Sequence, residues 1–247
     1  MNWPLVAGTL FTLLILSLLH QFGHAHLRLI PMHVIGNNRL ALWLYALVML
    51  PGTLLHEASH AVAAFILNVE VKAISVSPAV VEDWVVLGYV QHGRIDALRH
   101  AVVGVAPLII GTVAILLVCA LAFNMPAVYQ QIETGNWPEA IATLARGFET
   151  WRGWLAAYAT FVISSSMFPS PSDRRGWAPI GLFFIVLLIL PAVVGIDLSF
   201  LSWLVRPLNI MFQWLLIIFV FALVVDFVFI LLLTATHQAI AGQFPEP

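Results

Sequence analysis

The chain has 247 residues, 62% of them hydrophobic and 9% charged, with a mean hydropathy of +0.99. That balance excludes a soluble globular domain and describes an all-α polytopic membrane protein. A net charge of −2 gives no basic surface for nucleic acid, and the single Cys119, in an apolar run, excludes an intrachain disulfide and argues against thiolate ligation of a metal.

About six transmembrane helices are expected, in one transmembrane domain over residues 1–247. The first span covers about 5–22, with Trp3 as an interfacial anchor. No basic region precedes it and no small-residue cleavage site is evident, so it reads as a retained span and not a signal peptide. It runs into His20-Gln-Phe-Gly-His24-Ala-His26, and His33 follows. This histidine group reads as an interfacial polar linker, with a second metal site or a pH sensor as the other reading.

The second span, about Leu40 to Leu67, carries Pro51-Gly52 and then His56-Glu57-Ala-Ser-His60. Between Val69 and Gln91 the pattern changes. Val69-Glu-Val-Lys-Ala-Ile-Ser-Val76 and Trp84-Val-Val-Leu-Gly-Tyr-Val90 are rich in β-branched residues and partly alternate, with Pro78 and Glu82-Asp83 between them. This predicts a short β-hairpin-like segment at the membrane surface. An open strand edge there, with Val69, Val71, Val85, Val86 and Tyr89 as candidates, can hold an extended peptide by main-chain hydrogen bonds. A plain connection between helices is the competing reading.

The third span, about Leu98 to Phe123, begins with the small-residue stretch Gly104-Val-Ala-Pro107-Leu-Ile-Ile-Gly111. Small residues let helices approach closely. Asn124 to Phe148 is more polar and has room for a surface helix. The fourth span, about Trp151 to Phe168, is short. It leads into Ser164-Ser-Ser-Met-Phe-Pro169-Ser-Pro171-Ser-Asp173-Arg174-Arg175-Gly176, an irregular polar segment that needs protein or water around it at membrane depth. Two C-terminal spans, about Pro179 to Val194 and Leu208 to Thr234, occupy residues 178–235, and Asp226 lies deep in the last. It either bonds to a neighbouring helix or supports a site.

His56 and His60, four residues apart on a helix, point the same way. That spacing suits two neutral imidazoles on one Zn²⁺. Glu57 lies about 100° round the helix, in reach of a water at the metal. Three ionisable groups inside an apolar helix are costly unless partnered, which favours a metal site over polar residues that merely pack helices. Asp173 is the candidate third ligand, with pairing to Arg174 or Arg175 as its alternative. The second and fourth spans run in the same direction, so His56, His60 and Asp173 approach the same membrane face. Charge does not set the orientation: Lys72, Arg94, Arg99, Arg174 and Arg175 on one side oppose Arg28, Arg39, Arg146, Arg152 and Arg206 on the other.

Over about residues 40–176 these features resemble the site-2 protease family of intramembrane zinc metalloproteases. His56-Glu57-Ala-Ser-His60 matches its H-E-x-x-H, Gly104-Val-Ala-Pro107 is similar to the segment opening its next core helix, and the Pro-rich stretch ending in Asp173 is similar to the motif of its third ligand. The last departs from the common form: no Asn precedes Pro169, and Arg174, not Gly, follows Asp173. One of Ser164 to Ser166 is the candidate to replace that Asn. The resemblance implies a Zn²⁺-dependent endopeptidase with Glu57 as general base, His56, His60 and Asp173 on the metal, and transmembrane protein substrates. It also implies residence in the lipid bilayer of the cell membrane with both termini cytoplasmic, and leaves room for membrane adaptor proteins. Against it stand an inactive metal-binding scaffold, a prenyl-protein-type membrane zinc protease, which would use a Glu as third ligand, and a metal transporter.

Overall fold

A computed structural model describes residues 1–81, 84–93, 95–182, 186 and 199–243. Side chains at 21, 22, 24–26, 33, 80, 81, 84, 85, 199–201 and 241–243 are outside that description. So are Arg94, Glu82-Asp83 and most of the expected fifth span.

The element order is α1 (Trp3–Ile35), α2 (Asn38–Ile66), β1 (Val71–Ser75), β2 (Ala79–Val81), β3 (Trp84–Val86), β4 (Tyr89–His92), α3 (Ala97–Phe123), α4 (Met125–Glu133), α5 (Trp137–Gly147) and α6 (Trp151–Ser166). A 3₁₀ turn at Asp173–Gly176, a second at Ser199–Leu204, and the long α7 (Val205–Gln243) complete it. Four helical stretches are long and apolar enough to cross a membrane: Trp3–His20, Asn38–Ile66, Ala97–Phe123 and Ser202–Ile240. The count of six is not reached among the described residues. α6 has 16 residues, about 24 Å of helix against a hydrocarbon core of about 30 Å.

The histidine stretch expected as a linker is helical: α1 continues through it, past Pro31, and stops at Gly36, whose φ of 64° suits a residue without a Cβ. Asn37 then caps α2, its side chain accepting from the Arg39 and Leu40 amides at 3.0 and 3.1 Å.

Three helices frame the centre. Contacts Val48–Tyr158, Gly52–Val162 and His56–Ser166 rise together, so α2 and α6 run in parallel. Contacts Gly104–Asp173, Gly111–Met167 and Cys119–Thr160 run oppositely, so α3 is antiparallel to α6. The close approaches fall at glycines. A Cβ at Gly52 would collide with the Val162 carbonyl, and one at Gly104 with the Asp173 carbonyl. Buried Tyr45, Met49, Ile115, Cys119, Phe161 and Val162 fill the space between these helices.

α1 and α7 flank this core and also run in the same direction, with Asn2 against Asn209, Gly8 against Leu216 and Gly23 against Ile230. Six alternating spans would set the first and last helices antiparallel, so this packing departs from the arrangement that placed both termini on one side. The Thr9 hydroxyl, shared between Leu5 and Phe212 carbonyls at 2.9 and 3.2 Å, helps tie the pair.

The single hairpin expected after α2 is two nested ladders. β1 pairs with β4 (Val71 with His92, Ser75 with Tyr89), and β2 pairs with β3 between them (Ala79 with Val86). The polar stretch before α6 forms two short helices, α4 and α5, and α5 exposes Trp137 and Ile141.

Gly52→Val should lower stability by about 1–3 kcal/mol, because the added atoms meet backbone. Thermal unfolding in detergent checks it. Gly181→Ala, where a Cβ meets nothing within 4 Å, should leave the midpoint essentially unchanged.

Candidate metal centre

His56, Glu57 and His60 occupy the second half of α2, one turn after the glycine at the α2–α6 crossing. That crossing brings the Ser166 carbonyl, at the end of α6, to 2.5 Å from His56 Nδ1. From α3, the Val103 carbonyl lies 2.9 Å from His60 Nδ1. A carbonyl only accepts, so each Nδ1 carries the proton and donates it. In the neutral rings both Nε2 atoms then present bare lone pairs. These face each other across 3.1 Å, with the ring planes at 82°.

Asp173 comes from the other side, in the 3₁₀ turn that Gly104 admits against α3. Its Oδ2 accepts from the Ser170 amide at 2.7 Å and the Ser170 hydroxyl at 2.6 Å. Its Oδ1 is left toward His60 Nε2, 3.5 Å away. Burial pushes the Asp173 carboxyl up, but hydrogen bonding to His60 and Ser170 outweighs burial and holds it at about 2. The His60 bond needs a second proton on a ring whose Nδ1 already donates. A metal ion supplies the same positive charge without that proton.

Ligand atoms of His56, His60 and Asp173 all lie within 4.8 Å of one another. Three acceptors converging on one point, each oriented by a bond on its far side, form a donor set for a cation. This group can hold a metal ion.

Glu57 is buried and stands apart from the three ligand atoms. Gly88, between β3 and β4, lies over it: a Cβ there would come 3.0 Å from Glu57 Oε1, 2.9 Å from its Cγ and 2.8 Å from the Ser75 carbonyl. His56 and Glu57 open onto a groove of about 1110 Å³, whose wall includes Val86, Leu87 and Gly88. Of the candidate strand residues, Val86 therefore reaches the groove. Val69 does not: it is buried against Ala63, Ala64 and Val103. Val71 and Tyr89 sit in the β1–β4 ladder, away from the groove wall, and the Val85 side chain lies outside the described residues.

The serine that positions Asp173 is Ser170. Ser164 instead donates to Asp226, at 2.8 and 2.9 Å from its two oxygens, and the Ser166 hydroxyl bonds within α6. Asp226, fully buried, is thus a link from α7 to α6, two residues before the carbonyl that holds His56. His20 stacks on Phe168 at 5.3 Å between ring centroids. The side chains of His24, His26 and His33, the other members of that histidine group, lie outside the described residues. Sequence reasoning also missed Ser170, Gly88 and the Val103 and Ser166 carbonyls. The Pro169-Ser170-Pro171 run was the one local signal, since a serine three residues before an aspartate can bond back to it.

Compared with protein-family models, curated proteins and solved structures, the chain matches none.

Protein purified without chelators should carry about one metal ion per chain. His56→Ala and Asp173→Ala should lose it. Ser170→Ala should weaken retention by roughly 10–100-fold, read by chelator competition. Full retention in Ser170→Ala would show that Asp173 is oriented by something else.

Proposed function

We propose that the protein is an intramembrane zinc metallopeptidase of the cell membrane, which hydrolyses peptide bonds of membrane-embedded protein substrates. The observation that carries this reading is the juxtaposition, in one apolar helix, of the His56–His60–Asp173 donor set with a buried carboxylate, Glu57, beside an open groove. Two imidazoles and a carboxylate suit Zn²⁺ and leave a fourth position open, as in catalytic sites. The Nε2 atoms of His56 and His60, 3.1 Å apart, and an Asp173 oxygen would hold the ion together.

When bound, zinc would polarise a substrate carbonyl and make a coordinated water more acidic. The chain's own residues do the rest. Glu57 takes a proton from the attacking water as its oxygen adds to the carbonyl carbon. It then returns that proton to the departing amine as the C–N bond breaks. A helical substrate hides its carbonyls in hydrogen bonds, so the segment must unwind before cleavage. The wall at Val86 to Gly88, which runs on from β3 beside Glu57, supports this reading by offering main-chain groups to an extended segment.

An inactive metal-binding scaffold explains the three ligands but gives no role to Glu57, which a binding-only site does not need. Glu57→Gln should keep one zinc per chain and reduce cleavage of a labelled single-span peptide by at least about 10³-fold. Cleavage at the original rate in that variant would reject the general-base role. Absence of cleavage by the unaltered, zinc-loaded chain across a broad set of single-span peptides would favour the scaffold.

A further inference from the structure

The groove that opens on His56 and Glu57 has two cations in its lining, Arg28 from α1 and Arg174 from the turn that carries Asp173. The ion pairs among the described residues are His60–Asp173, Arg99–Asp96 and Arg146–Glu139. Among the described residues neither groove arginine is in an ion pair, and Arg28 Nε is buried with no hydrogen-bond partner there. Among the described lining residues the one acidic side chain is Glu57. Arg28 is half-buried and Arg174 is exposed where it lines the groove. A guanidinium removed from water, even in part, is favoured by an anion that meets it, and its planar fork matches a carboxylate.

From this juxtaposition we infer that Arg28 and Arg174 form an anion subsite, which selects peptide segments carrying a carboxylate near the bond presented to the metal centre. The inference rests on the peptidase reading. Arg174 follows Asp173 directly, so the 3₁₀ turn that fixes the ligand also fixes the backbone bearing this cation. Arg28 adds its donors from a different helix, and the two share one groove. The carboxylate has two sources, an Asp or Glu side chain or the end of a chain, and both present the same fork.

The test uses the full-length, zinc-loaded Glu57→Gln protein in phosphatidylcholine nanodiscs, with fluorescent apolar peptides of about 20 residues. One Glu is moved along the peptide, each version is paired with its Gln counterpart, and each is made with a free or an amidated C-terminus. At one or more positions the Glu peptide should bind about tenfold tighter than its Gln counterpart. Arg28→Gln and Arg174→Gln should each cut that preference to about twofold or less, while Arg28→Lys keeps part of it. A preference seen only with free C-termini would still support the subsite and assign it to chain ends. Zinc content of one per chain in each variant certifies folding.

Equal binding of every Glu and Gln pair, with no difference between free and amidated ends, would overturn the inference. So would a preference that survives both Gln variants. Displacement of both peptides alike by phosphatidylglycerol would give the arginines to a lipid headgroup instead. Because binding is read without cleavage, the two readings fail separately. A chain that cuts nothing yet prefers Glu loses the peptidase reading alone; one that cuts without preference loses the subsite alone.

Discussion

Two backbone carbonyls carry the most consequence in this molecule: that of Ser166, on His56 Nδ1, and that of Val103, on His60 Nδ1. Each takes up one ring nitrogen and turns the other inward. Neither belongs to the helix that bears the histidines, so the inward-facing pair exists only while α2, α3 and α6 are packed together. The third ligand depends on the same packing, since Asp173 sits where α3 offers a glycine at 104. Metal binding and helix association are therefore linked: an ion on these three groups would join residues of α2 to the chain beyond α6.

That dependence explains the distribution of small and polar residues. Within a bilayer no hydrophobic force draws helices together, so close packing and a few hydrogen bonds do it. Gly52 and Gly104 sit where the backbone of α6 and of the turn beyond it comes close, and Gly111 lies against the Met167 side chain. The Tyr158 hydroxyl on the Val48 carbonyl and the Ser164–Asp226 pair add polar links between helices. The Ser164–Asp226 link holds α7 to α6 just ahead of the carbonyl that orients His56, which gives a buried carboxylate far from the ligands a bearing on their geometry.

The groove opens onto the same site. Its wall at Val86 to Gly88 runs from the end of β3 into the turn before β4, and Gly88 crosses Glu57 so closely that a side chain there would meet the carboxylate. The β3–β4 turn thus covers Glu57. Arg28 and Arg174 bring two cations to the same space.

The sequence by itself determined what is local. Long apolar runs gave the membrane class, because no soluble fold can hide that much surface, and a four-residue spacing set His56 and His60 on one helix face by helix geometry alone. The parallel course of α2 and α6 followed from counting spans between them. Tertiary structure alone decided what joins distant positions. The partners of His56 and His60 are 110 and 43 residues away and are main-chain atoms, which leave no trace in residue identity. The continuation of α1 through its histidines, the parallel pairing of α1 with α7 and the nesting of β2–β3 inside β1–β4 likewise arise from contacts between segments. Periodicity reports only which face of a segment is apolar, and packing decides what that face meets.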